Sequence, residues 1–319
     1  MTVFVTRRKP EILRRGALAL TLGLALAACD PMGPVAIEPA EPRLDAGEPS
    51  EESRRLAAYY GGVQARLLSQ GLLRRDGGGP DTYFSTRNLV ENFERIALYD
   101  EYALQSGTFV QRQTPSRLRR WEVPIRMRLV FGPSVTDEQR ARDRRNVETY
   151  NARIARLTGH RIGLTEGPAN FIVLFLNRDE QRTIGPRLEE LVPRISPTVV
   201  NEITHSPRST FCAAYALSER KSNHAYTAAV VLVKAEHPDL LRLSCIHEEI
   251  AQAMGLANDS PVARPSIFND DEEFALLTEH DELLLQILYD RRLRLGMTPA
   301  EARPIVSTIA AELMGEGAS

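Results

Sequence analysis

Residues 171–176 read Phe-Ile-Val-Leu-Phe-Leu, six apolar side chains in succession. A strand sends alternate side chains to opposite faces, so such a run needs apolar cover on both sides. It predicts a central strand inside a sheet that is packed on each face. Other elements fall around it. Residues 125–131 alternate apolar and basic side chains, the pattern of a half-buried strand, and residues 161–165 and 225–234 also have strand composition. Thr136 opens a charged amphipathic helix that runs to about residue 157 and stops at Gly159. A helix over about 240–254 follows Pro238-Asp239 and ends at Gly255, a residue suited to a left-handed cap. Thr278 with Asp281 three residues on forms a capping box for a helix to about residue 289, and Gly296 and Pro299 precede a short last helix. Residues 178–222 show a helical pattern only near 188–192, then a Pro-punctuated loop containing Cys212. Strand, helix, strands, helix, loop, helix predicts an α+β fold with a mixed β-sheet, and about 200 residues suffice for one core.

A helical pattern spans about 51–75 and breaks at Gly77-Gly78-Gly79-Pro80. A second begins near Ser85 or Thr86 and carries Leu89, Phe93, Ile96 and Ala97 at helical spacing. Residues 51–115 are therefore expected to form an N-terminal helical extension, and residues 116–315 the main domain. Residues 30 to about 50 are rich in Pro, Glu and Ala without apolar periodicity, as in a disordered tether.

The start of the chain is basic, then apolar, then small. Arg7, Arg8, Lys9, Arg14 and Arg15 precede an apolar run over 17–28, too short to span a bilayer comfortably. It closes in Leu26-Ala27-Ala28-Cys29, which resembles the lipobox of bacterial lipoprotein signal peptides. The resemblance implies removal of residues 1–28, a lipid-anchored Cys29 and a tether over 29–50. An uncleaved anchor helix or an ordinary signal peptide are the alternatives. Asp30 resembles the signal that retains lipoproteins in the inner membrane, which implies its periplasmic face, with the outer membrane as the alternative. Residues 1–28 hold five basic side chains and Glu11, so their loss takes the formal charge from −2 to about −6. No basic stripe with interleaved aromatics points to nucleic acid. The short run Arg117, Arg119, Arg120 suits a solvated face or anionic lipid. With lipid on Cys29, Cys212 and Cys245 remain as an even pair, expected to be bridged in an oxidising compartment, with two free thiols as the alternative.

The richest stretch is His247-Glu248-Glu249-Ile250-Ala251-Gln252-Ala253-Met254-Gly255-Leu256-Ala257-Asn258-Asp259. Its frame resembles the zinc helix of metzincins of the matrixin type, H-E-x-x-H-x-x-G-x-x-H/D, in which two histidines one turn apart face one ion and a Glu activates the bound water. Aligned on Gly255, the resemblance puts Glu248 and Gln252 at the helical ligand positions. It puts Glu249 at the general-base position and Asn258, followed by Asp259, at the third ligand. Phe268 in Ser266-Ile267-Phe268 takes the place of the Met beneath the metal. The similarity covers roughly residues 121–290. Every histidine ligand is missing, so zinc is not expected. Glu248 and Gln252 share one helix face, whereas His247 lies about 100–140° away, on an apolar stripe with Leu243, Ile250 and Met254. His247 is thus expected to be a core histidine. An oxygen set of Glu248, Gln252, Asn258 and Asp259 suits Ca²⁺, Mg²⁺ or Mn²⁺ better than zinc, but the same groups can simply tie helix to loop without metal. The acidic run Asn269-Asp270-Asp271-Glu272-Glu273 lacks EF-hand spacing and suits a solvated turn. Adjacent Glu248 and Glu249 diverge by about 100°, so they do not flank one glycosidic bond. No G-x-S-x-G occurs.

Three stretches, Asn92-Phe93-Glu94-Arg95-Ile96-Ala97, Ala235-Glu236-His237-Pro238-Asp239 and residues 245–271, resemble a family of uncharacterised bacterial lipoproteins without an assigned activity. Three functions follow as expectations. The first is a zinc-free metzincin-like module binding a protein, peptide or peptidoglycan ligand. The second is a hydrolase with Glu249 as general base, using a non-zinc metal or none. The third is an envelope assembly factor acting through the N-terminal helices.

Overall fold

The computed structural model describes residues 2–7, 48–106, 108–218 and 224–316. The expected apolar signal segment, the cleavage point before Cys29 and most of the tether lie outside the described residues. In chain order the elements are β1 (Thr2–Arg7), α1 (Glu51–Ser69), α2 (Thr86–Ala97), β2 (Tyr99–Gln105), β3 (Thr108–Pro115), β4 (Arg120–Trp121) and β5 (Ile125–Phe131). Then come α3 (Asp137–Thr158), β6 (Ile162–Leu164), β7 (Phe171–Leu176), α4 (Arg178–Thr183), α5 (Gly185–Leu191) and α6 (Pro197–Thr204). The chain closes with β8 (Cys212–Ser218), β9 (Ala225–Tyr226), β10 (Ala228–Lys234), α7 (Asp239–Met254), α8 (Glu279–Tyr289) and α9 (Pro299–Leu313).

This is an α+β fold around a mixed sheet of order β1-β8-β10-β7-β5-β6. Strands β10, β7, β5 and β6 run parallel, β8 is antiparallel to β10, and β1 is antiparallel to β8. The apolar run of β7 is internal, with Val173 opposite Val231 on one side and Leu129 on the other. Its side chains divide between two cores. Phe171, Val173 and Phe175 join residues of α1, α2, α3, α7 and α8. Ile172, Leu174 and Leu176 meet Leu188, Val199 and Ile203 of α5 and α6, together with Tyr102 and Phe109.

The caps are those the sequence predicts. Thr136 accepts from Gln139 N, Gly159 is left-handed at φ 67°, and Ser85 and Thr278 head capping boxes. Two regions differ. Residues 178–222 are not mainly loop, because they hold three short helices and the whole of β8, which Cys212 opens. The helical N-terminal region also contains the hairpin β2–β3 after α2.

Candidate functional site

Helix α7 carries most of the site, and all of residues 244–254 are buried. Its C-terminal end is fixed by two donors, Trp121 Nε1 to Ala253 O at 2.8 Å and Tyr289 Oη to Met254 O at 3.0 Å. Gly255 follows at φ 128°, and a Cβ there would collide with the Arg119 carbonyl oxygen, so only glycine lets the chain turn at this point. The disulfide Cys212–Cys245 fastens the middle of α7 to the start of β8.

Glu248, Glu249 and Gln252 are all closed off from solvent, with Glu249 at 0% exposure. Gln252 Nε2 donates to Asp259 Oδ1 at 2.9 Å. Gln252 Oε1 and Asp259 Oδ2 have no hydrogen-bond partner among the described residues. Burial holds the Asp259 carboxyl well above the usual range, and the charges of Glu101, Asp270, Glu248 and Glu249 push the same way. Asp259, hydrogen-bonded to the Gln252 amide, thus feels the charge of four further acidic side chains. Asn258 points elsewhere, donating from Nδ2 to the Arg95 carbonyl at the end of α2, at 2.6 Å. Phe268 belongs to the main core, and its carbonyl accepts from Ser260 N at 2.8 Å, which closes the loop bearing Asn258 and Asp259. Asp281, in the capping box of α8, anchors that turn by accepting from Ser266 Oγ and Ile267 N.

Glu101 is the site residue that sequence reasoning missed. It sits on β2, and its signal was the Ser106-Gly107 turn pair with Tyr102 and Phe109 on either side. Asp270, assigned to a solvated turn, also feeds charge into the site.

His247 lies off the face shared by Glu248 and Gln252. Its ring stacks on Tyr150 at 4.0 Å, its Nδ1 accepts from Leu277 N at 3.1 Å, and Tyr150 Oη donates to its carbonyl. Burial, aided by Arg153, lowers its pKa to about 3, which keeps the ring neutral.

Zinc does not fit here. The positions that the metzincin resemblance assigns to histidine hold carboxylate and amide groups, and Asn258 commits its amide to a backbone carbonyl. Among the described residues, no group of three or more His, Cys, Asp or Glu is placed to hold a metal ion. What remains is an enclosed, acid-rich hydrogen-bonding site in which burial raises the pKa of the Asp259 carboxyl. Among the described residues no helix is long and apolar enough to cross a membrane.

The family described as "Protein of unknown function (DUF2927)" matches residues 86–308, a span that holds α2, the hairpin and every element of the site. No curated protein and no solved structure matches the chain.

Proposed function

We propose, from the premise that the chain belongs to the DUF2927 family and that this family brings no activity with it, that the protein is a lipid-anchored envelope lipoprotein with a zinc-free metzincin-like domain, which binds an extended peptide segment along the edge of β8. The observation that carries this reading is the pairing of β1 with β8. Six residues of extended chain lie antiparallel on that edge, from Thr2 opposite Ser218 to Arg7 opposite Ala213. Strand addition draws affinity from main-chain hydrogen bonds, so an edge that accepts one extended segment suits others of similar shape. Cleavage before Cys29 would remove β1 and free the edge in the mature protein. The disulfide joins that strand to α7, so a ligand on β8 lies one covalent link from the acidic site. The metzincin resemblance also draws support from the order of elements: a helix bearing Glu248 and Gln252, a Gly255 turn, a closed turn at 266–268 and then α8.

The test is hydrogen exchange on the chain beginning at residue 30. The amides of 213–218 should exchange faster than in the full chain and regain protection when a synthetic peptide of residues 1–8 is added. Unchanged protection in both cases would overturn the edge reading. In cells, labelled palmitate should enter the wild-type protein and not Cys29→Ser, and a wild-type protein without label would overturn the anchor.

The hydrolase alternative draws support from one feature, the raised pKa of the buried Asp259, to which the charges of Glu248 and Glu249 contribute. Glu249→Gln separates the two, because it would abolish turnover while leaving peptide capture on β8 intact.

A further inference from the structure

A second site stands apart from the sheet edge and does not depend on it. Between the first turns of α1, the start of α4 and the loop after α6 lies a cavity of about 360 Å³, lined by Glu52, Arg55, Leu56, Tyr59, Arg178 and Arg208. Three guanidinium groups and one carboxylate thus face a single space, on a chain whose formal net charge is −2. The volume falls within the range of small-ligand pockets.

The cations differ in how they are held. Arg178 is built into the wall, with its side chain 8% exposed and its Nη1 donating to Ser206 O at 2.6 Å. Its Nε is buried and has no hydrogen-bond partner among the described residues, and Glu52 Oε1 lies 3.5 Å from it. Glu52 is divided between two guanidinium groups, since its other oxygen lies 2.8 Å from Arg182. Arg208 is exposed and lies over the Tyr59 ring at 5.2 Å, and among the described residues it forms no ion pair. Its backbone is fixed by Tyr60 Oη, which donates to the Arg208 carbonyl at 3.0 Å. Arg55 pairs with Glu51 at 2.7 Å, but both side chains are 72% exposed, and a pair so solvated holds its members weakly. Arg55 and Arg208 are therefore free to converge on a ligand, while Arg178 offers a buried, unsatisfied donor at the base.

We propose that this cavity binds a phosphate monoester or diester. Guanidinium forks match tetrahedral phosphate oxygens with short, charge-assisted hydrogen bonds, and the Tyr59 ring keeps the Arg208 plane oriented toward the space. Glu52 is the internal competitor, since its carboxylate pairs with Arg178 and Arg182 and places negative charge in the space that a phosphate would enter. The cavity opens at the first turns of α1, which begins at Glu51. A phospholipid headgroup and a soluble phosphate ester both present this chemistry, and the headgroup source rests on the lipid anchor proposed above.

The experiment titrates the full chain with inorganic phosphate and glycerol 3-phosphate by calorimetry. In parallel, it compares sedimentation with vesicles of phosphatidylglycerol and of phosphatidylcholine. Arg208→Gln should weaken phosphate binding, or the preference for phosphatidylglycerol, by about tenfold. Glu52→Gln should strengthen the same quantity several-fold, a gain that a purely structural ion pair does not produce. Saturable binding of the small phosphates identifies a soluble ligand, and a phosphatidylglycerol preference without it identifies a headgroup; either upholds the site. Absence of both in the wild-type chain overturns it. So does an unchanged Arg208→Gln, or an equal loss in Arg156→Gln, an exposed change on α3 outside the cavity. Arg208 is exposed, so its variant folds, and a matching thermal transition checks this.

Discussion

His247 stands one residue before the acidic face of α7 and does the opposite work. Its ring fills a slot against Tyr150, and its Nδ1 satisfies the Leu277 amide ahead of the α8 capping box. The native ring is neutral down to about pH 3, whereas an unfolded histidine protonates near 6.5. Between those values the unfolded chain binds more protons, so stability is complete above about 6.5 and falls with pH toward 3, by up to about 1.4 kcal/mol per pH unit. His247→Phe keeps a ring on Tyr150 but strands the Leu277 N–H, at a cost of about 1–3 kcal/mol at pH 7. Because the variant lacks the acid-labile group, its deficit should shrink by about 2 kcal/mol between pH 6.5 and pH 5 in urea titrations. A deficit independent of pH would mean that the native ring titrates freely. This residue was legible in the sequence because helix geometry alone put it on the apolar stripe. Glu101 was not, because its contribution depends on a hairpin that brings its charge from far along the chain to bear on Asp259.

At the scale of elements, charged helices with polar caps were readable and quiet strands were not. Helix α3 begins at Thr136 and is capped by Gly159, as the punctuation predicts. Strand β8 reads Cys-Ala-Ala-Tyr-Ala-Leu-Ser, buried at every position, with neither the alternation of a half-buried strand nor the β-branched residues of β7 and β10. It is a strand because β10 and β1 flank it, which is tertiary information. The hairpin β2–β3 is polar enough to pass for the end of a helical extension. The cysteine count did foresee the disulfide, although Cys212 was expected in a loop and instead opens β8. The bridge closes a separation of 33 residues, so removing it should cost roughly 3–4 kcal/mol in the chain-entropy model. The double variant Cys212→Ala, Cys245→Ala should show that loss in chemical denaturation, and faster exchange at 213–218 as β8 loosens from α7. A loss below about 1 kcal/mol would show that the packing of α7 against β8 and β10 suffices without the bond.

Taken whole, the N-terminal extension and the main domain are joined by one core. Tyr60, Phe93, Ile96 and Leu98 of the N-terminal region share one core with Phe171, Ile250 and Leu288. Buried polar pairs cross the same boundary: Ser53 Oγ donates to Glu236 at 2.9 Å, Lys234 Nζ to Tyr60 Oη at 3.2 Å, and Asn92 meets His280 at 3.1 Å. Burial brings the Lys234 pKa down to about 7, so its ammonium is held by Tyr60 and the Pro207 carbonyl or not at all. Removing residues 51–115 would expose the apolar face of α8 and α9 and leave Glu236, Lys234 and His280 without these partners, a penalty of roughly 1–3 kcal/mol for each buried polar group. A chain starting at residue 116 should therefore lose its near-ultraviolet circular dichroism and its cooperative melting, whereas a chain starting at residue 48 should unfold in one transition. Loss of function on deleting the N-terminal helices would then report loss of the fold, and an assembly role for those helices would have to be tested by exposed substitutions on α1 and α2. A cooperative, well-packed 116–319 fragment would reverse that conclusion and give the N-terminal region a separate identity.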